Sequence, residues 1–156
     1  MSSINSQIHP QLGPILYVSV MPIVSHMQAL ERAGRKIPAS QQGIFLLDTG
    51  ANASVIDPII IRALEIQPHD ERKIQTPSTN GQPANCFVYN VQIVIQPFPL
   101  ASTILNPGLV MPYVRVLTII EANLIPQGIA GLIGRDVLEQ CLFIYNGRTQ
   151  SFTLSW

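Results

Sequence analysis

Charge is scarce in this chain. Nine basic and nine acidic side chains among 156 residues leave a formal net charge of zero, and at 12% of residues the charged groups are too few to cover a surface. Part of the apolar surface is therefore expected to lie against another chain. No basic stripe is present, which argues against nucleic acid as a main partner. Cysteine is nearly absent. Cys86 and Cys141 are too few for a disulfide framework and, in strand-like surroundings, read as buried free thiols. His9, His26 and His69 show no metal-ligand spacing. No phosphate-binding glycine loop, nucleophile elbow or Cys-His signature occurs, so no cofactor and no metal is expected. Long apolar runs are missing too, none approaching the roughly 20 residues that cross a bilayer. The opening Met1-Ser2-Ser3-Ile4-Asn5-Ser6 lacks the basic and apolar regions of a secretory signal. The expectation is a cytoplasmic protein without membrane partners.

Apolar residues make up 47% of the chain, enough to build the core of one domain. Residues 1–14 are polar, carry Pro10, Gly13 and Pro14, and read as an N-terminal arm; residues 15–156 read as the domain. Short strands dominate it. Residues 15–21 form one, after which Ser25 is placed to cap a short helix bearing Met27 and Leu30 that Gly34 stops. Asp57-Pro58 opens a second helix with a preferred cap and first-turn residue. Residues 73–76 and 85–96 flank Pro77-Ser78-Thr79-Asn80-Gly81-Gln82-Pro83 as a long hairpin with a polar tip. Residues 97–112, rich in proline and apolar residues, read as a loop. A strand over residues 113–120 and a short helix over 135–140 follow. Two last strands are joined through Asn146-Gly147, a strong hairpin signal. The sum is an all-β fold, a closed barrel with two or three short helices.

Chemistry concentrates in one stretch. Gly43-Ile44-Phe45-Leu46-Leu47-Asp48-Thr49-Gly50-Ala51-Asn52-Ala53-Ser54-Val55-Ile56 is an apolar strand that delivers one carboxylate, Asp48, into a turn of small residues. A carboxylate at the end of a buried strand is costly unless something satisfies or uses it. Alone, Asp-Thr-Gly is better read as a strand-end turn, since it arises by chance in about a few per cent of chains this long. A second stretch supplies the context. Ile129-Ala130-Gly131-Leu132-Ile133-Gly134-Arg135-Asp136-Val137-Leu138 is an apolar strand, a glycine, then Arg-Asp opening an amphipathic turn.

In this order the two stretches resemble the retropepsin-like aspartic proteases, the family of the retroviral proteases and their cellular and bacterial relatives. The pattern looks closest to stand-alone bacterial members, and the resemblance covers residues 15–156. It implies a retropepsin-type barrel with a flap hairpin, active as a two-fold homodimer. The implied activity is an aspartic endopeptidase in which two Asp48 carboxylates, one from each protomer, activate a water. Such hydrolysis needs two carboxylates sharing one proton. Asp57, Asp70 and Asp136 do not stand between an apolar strand and a glycine, so the single Asp-Thr-Gly demands a second copy.

The resemblance also assigns roles. Asp48 is the catalytic carboxylate, Thr49 reaches the partner's backbone, and Gly50 brings its backbone close to the reacting groups. Ala51, where many relatives carry serine, and Asn52 adjoin the substrate. Leu46, Ala130 and Leu132 match pocket-lining positions, although the residues alone read equally well as core. Ser78, Thr79, Asn80 and Gly81 belong to the flap tip, which closes over substrate and excludes water. Arg135 stands at a helix start, where the dipole disfavours it, and is assigned a partner in the Asp48 loop. That partner is Asn52, where retroviral relatives have aspartate. Asp136 is expected to reach Ser54, so Ser54, Arg135 and Asp136 serve as structural support. The hairpin ending in Trp156 is the expected dimer interface. Expected partners are a second copy of the chain and a peptide or protein substrate. The alternatives are a catalytically silent dimeric peptide-binding module of the same fold, or a protease restricted to one dedicated partner or to self-processing.

Overall fold

A computed structural model describes residues 1–74, 83–96 and 111–156. Its larger sheet grows from strands whose alternate residues face one interior. In β2 (Ile15–Pro22), Leu16, Val18 and Val20 are buried while Tyr17 is exposed. In β3 (Gln41–Leu47) the buried pair is Phe45 and Leu47. The period of two that pleating imposes puts these side chains on one face.

The remaining strands are β4 (Val55–Ile56), β5 (Asp70–Ile74), β6 (Ala84–Ile95), β7 (Tyr113–Glu121) and β8 (Gly131–Ile133). Their order is β2-β3-β8-β4-β7-β6-β5, and β6 also pairs with β2. That last pairing closes six strands into a barrel. It is possible because β6 is long enough to serve two neighbours along one edge. Residues 84–88 pair with β5 and residues 91–95 with β2, while residues 88–95 pair with β7 on the other edge. Val91, Ile93, Ile95, Leu117, Ile119 and Ile133 join Val18, Val20, Phe45 and Leu47 in the core. Two pairings are parallel, β3 with β8 and β4 with β7.

Helix α1 (Val24–Arg32) starts two residues earlier than it would with Ser25 as cap, with extended Ile23 as N-cap and no side-chain cap bond. The chain leaves β2 at Pro22 already extended, so the helix begins at once. Its single buried residue is Leu30. Helix α2 (Pro58–Ala63) is capped by Asp57, whose side chain accepts from Ile59 N at 3.0 Å. Helix α3 (Arg135–Leu138) buries Val137 and Leu138.

A second sheet, in the order β1-β10-β9, joins the termini. The segment read as an arm supplies β1 (Ser3–Gln7), antiparallel to β10 (Ser151–Ser155), which pairs with β9 (Leu142–Asn146). Two apolar side chains, Ile4 and Ile8, are buried there among polar neighbours. Phe143 meets Phe152 edge-on at 6.1 Å, and Phe152 and Leu154 are fully buried. Asn146 caps the connecting turn, its Oδ1 accepting from Arg148 N and Thr149 N, both at 3.1 Å. Neither Cys86 nor Cys141 is in a disulfide, and both are half-buried rather than buried. Among the described residues, no helix is long and apolar enough to cross a membrane.

Candidate active site

Asp48 leaves β3 directly and is held by backbone on both sides. Its own N–H donates to Ile133 O, at the end of the parallel neighbour β8, at 2.9 Å. The N–H of Leu47 donates to Pro14 O, also at 2.9 Å. The chain then folds back: Gly50 N donates to Asp48 Oδ1 at 2.8 Å and Ala51 N to Asp48 O at 3.3 Å. The Asp48 side chain is half-buried, whereas Thr49, Gly50 and Asn52 are exposed. Among the described residues, no side chain hydrogen-bonds its carboxylate.

The second motif locks onto this loop through close backbone approach. A Cβ on Gly134 would lie 2.6 Å from Ala53 C and 2.7 Å from Ala53 O, so only glycine lets the start of α3 touch the loop. A Cβ on Gly131 would enter the ring of Phe45. Hydrogen bonds complete the join. Arg135 N donates to Ala51 O at 2.9 Å, and the Arg135 guanidinium donates to Asn52 Oδ1. Ser54, only 1% exposed, stands at the centre. Its hydroxyl donates to Asp136 Oδ1 at 2.8 Å and accepts from Gly134 N at 3.1 Å, while its N–H donates to Asp136 Oδ2 at 2.9 Å. A hydroxyl is suited to this place because it donates and accepts at once. Asp136 Oδ1 also accepts from Val137 N at 3.0 Å, satisfying one of the N–H groups left open in the first turn of α3.

Leu46 and Leu132 face each other in register across β3 and β8, both half-buried. Ala130 lies in the core instead, 6% exposed, its methyl occupying the space beside Gly43. Ser78, Thr79, Asn80 and Gly81 lie outside the described residues, as do residues 97–110 of the loop read before β7.

Two supports went unread in the sequence. Asp57 is 3% exposed and holds more than its helix: Oδ2 accepts from Leu124 N at 2.7 Å and Ile125 N at 2.9 Å. Burial pushes its pKa up, but these three N–H bonds, with help from Arg62, outweigh burial and hold it below the usual carboxylate value. The Asp-Pro signal announces only the cap. Pro14 is the other. His9 Nδ1 accepts from Leu12 N at 3.1 Å, turning the chain so that Gly13 and Pro14 pass beside Leu46 and Leu47. Burial raises the thiol pKa of both cysteines, which leaves neither poised as a nucleophile. Among the described residues, no cluster of His, Cys, Asp or Glu is arranged to hold a metal ion.

A closed β-barrel that presents one Asp-Thr-Gly loop, knitted by backbone contact to a Gly-Arg-Asp turn, is the architecture of a retropepsin-like aspartic protease. The sequence model of the aspartyl protease family matches residues 39–137, a span that holds both motifs, and the chain belongs to that family. No curated protein matches it.

Proposed function

We propose that the chain is an aspartic endopeptidase that works as a homodimer, with Asp48 of each protomer contributing one of two carboxylates across a two-fold axis. The supporting observation is the state of Asp48 in the single chain. Backbone anchors it from behind, no side chain among the described residues bonds its carboxylate, and the exposed Thr49, Gly50 and Asn52 flank it. A second copy would complete the constellation. Two carboxylates a few ångströms apart cannot both ionise cheaply, so they hold one proton between them. The ionised member takes a proton from water as that water attacks the scissile carbonyl carbon. The protonated member donates to the carbonyl oxygen.

In this reading Thr49 bonds the partner's loop, and Gly50 lets backbone approach the reacting centre. Leu46 and Leu132 receive apolar substrate side chains, with Ala51 and Asn52 beside the substrate backbone. On sequence alone, Ser78, Thr79, Asn80 and Gly81 are assigned to the flap. Ser54, Arg135 and Asp136 hold the loop in place and take no part in proton transfer.

The test is digestion of a diverse peptide pool from acid to neutral pH by wild type and by Asp48→Asn. Products should form with wild type and fall by at least about 10²–10⁴-fold in the variant, the usual span for losing a catalytic acid–base group. Equal cleavage by both would refute the assignment. Silence from both, in protein of dimeric mass, would favour the peptide-binding module or a single dedicated substrate.

A further inference from the structure

The last rung between β2 and β3 is half made. The register that sets Ile15 opposite Leu46 sets Pro14 opposite Leu47, and Leu47 N donates to Pro14 O at 2.9 Å. Proline has no N–H to return. One bond therefore holds a pair that elsewhere in an antiparallel ladder exchanges two. The next residue is Asp48. Pro14 is held in place from its other side by the turn that precedes it. His9 and Gly13 exchange N–H···O bonds, both 2.9 Å, and close a loop over Pro10, Gln11 and Leu12. Inside this loop the N–H groups of Leu12 and Gln11 converge on one atom, His9 Nδ1, at 3.1 and 3.3 Å. Leu12 also lies against the chain at Gly128, where an added Cβ would come 3.8 Å from Leu12 Cδ2.

We propose that His9 is a positioning residue for Asp48 that works only while its Nδ1 is unprotonated, so that acid releases the turn, Pro14 and the root of the Asp48 loop together. This rests on the peptidase reading above and adds to it an acid brake separate from the carboxylate pair. Neutral imidazole accepts at one nitrogen, whereas in the protonated ring both nitrogens donate. Protonation would set a donor at Nδ1 against the two N–H donors that now converge on it. Imidazole is the side chain that changes charge between about pH 5 and 8. The ring is half-buried and borders a groove of about 350 Å³ between β1 and β2, in which Tyr17 is the other titratable side chain among the lining residues. The turn between β9 and β10, which accepts from Ile8 N through Gln150 O, carries Arg148, and β3 leads into Asp48. β1 and residues 124–128 bring no charge. Among the described residues, none of these groups forms an ion pair with His9. The sensitivity to acid therefore lies in the two hydrogen bonds and not in a charged neighbour.

The experiment compares wild type, His9→Asn and His9→Ala in the full chain by two readouts, between about pH 7.5 and about pH 5, the span over which imidazole titrates. Asparagine offers an oxygen to the same N–H groups and does not titrate, so it keeps the turn throughout. The first readout is kcat/KM on a peptide that wild type cleaves. The ratio of wild type to His9→Asn cancels the titration of the carboxylate pair that both share. It should fall at least about threefold toward the acid end, the weight of one ordinary hydrogen bond. His9→Ala, without an acceptor, should stay below His9→Asn at every pH. The second readout is the amide spectrum of ¹⁵N-labelled chain. The Leu12 and Leu47 signals should move together with the His9 ring protons in wild type and hold still in His9→Asn. A flat ratio would overturn the proposal, as would a Leu47 signal that ignores the ring. Should wild type and Asp48→Asn both leave peptides intact, the peptidase reading fails by itself, and the Leu47 signal still decides whether His9 governs the root of the loop.

Discussion

Replacing Asp57 with alanine should cost about 3 kcal/mol of folding stability, although the residue lies outside the Asp48 loop. Its carboxylate accepts three backbone N–H bonds, from Ile59 at 3.0 Å, Leu124 at 2.7 Å and Ile125 at 2.9 Å. Loss of a helix cap alone costs about 1 kcal/mol. Ile59 and Ile125 are roughly half exposed, so their freed N–H groups can turn to water. Leu124 is 6% exposed, and stranding its buried donor adds about 1–3 kcal/mol. With a urea slope of about 2 kcal/mol per molar, the midpoint should fall by roughly 1.5 M. Asp57→Asn keeps an oxygen for Ile59 but turns N–H groups toward the Leu124 and Ile125 donors, so it should recover only part of the loss. The pH dependence carries the same signature. Because the folded pKa lies below the usual value, the stabilisation is full above the ordinary carboxylate range and fades as pH falls through the depressed value. Unfolding midpoints should thus decline more steeply in wild type than in Asp57→Asn as pH falls below the ordinary carboxylate range. A midpoint in Asp57→Ala within about 0.5 M of wild type would refute this account of three bonds on one buried carboxylate.

Other positions give sharper local tests. Gly134→Ala forces a methyl against the backbone of Ala53 and should lower both stability, by about 1–3 kcal/mol, and peptide cleavage; a stable variant with full activity would show that the loop tolerates displacement. Ser54→Ala and Asp136→Ala should couple by more than about 0.5 kcal/mol in a double-mutant cycle of urea unfolding, since the Ser54 hydroxyl donates to the Asp136 carboxylate; additivity would sink the network. Tyr89, 6% exposed, donates to Glu121 Oε2 at 2.9 Å, and burial, that bond and the Glu121 charge push its phenol up to about 12. Absorbance titration should show a late phenolate step that Tyr89→Phe removes, with stability falling as pH rises from the ordinary phenol value near 10 toward it.

Local chemistry was legible wherever one residue decides it. Asp57-Pro58 announced α2, the period-two run through Val91, Ile93 and Ile95 announced β6, and the two glycine-bearing stretches announced a site joined across the chain. What depends on distant partners was not legible. β1 holds a single apolar residue, and its strand state comes from pairing with β10 at the opposite end of the chain. The same limit hid the second half of Asp57's role. Nothing in its neighbourhood points to Leu124 and Ile125, which a separate loop delivers. Helix α1 was misread at its start because Ser25 is a good cap by type, while the exit of β2 had already fixed where the helix begins.

The departure at Asn52 is explained by the same division between local and distant support. An aspartate there would form an ion pair with Arg135, and its absence suggests a weakened loop. Yet both side chains are exposed, and exposed pairs contribute only about 0–1 kcal/mol. The attachments that fix the loop lie deeper. Arg135 N to Ala51 O, Gly134 N to Ser54 Oγ and the two hydrogen bonds from Ser54 to Asp136 do not involve the Asn52 side chain. Neutral Asn52 still accepts from the guanidinium and adds no anion beside Asp48. In a chain this poor in charge, the loop is held by a buried hydroxyl and by glycines that let backbones touch, and the ion pair is the part it can do without.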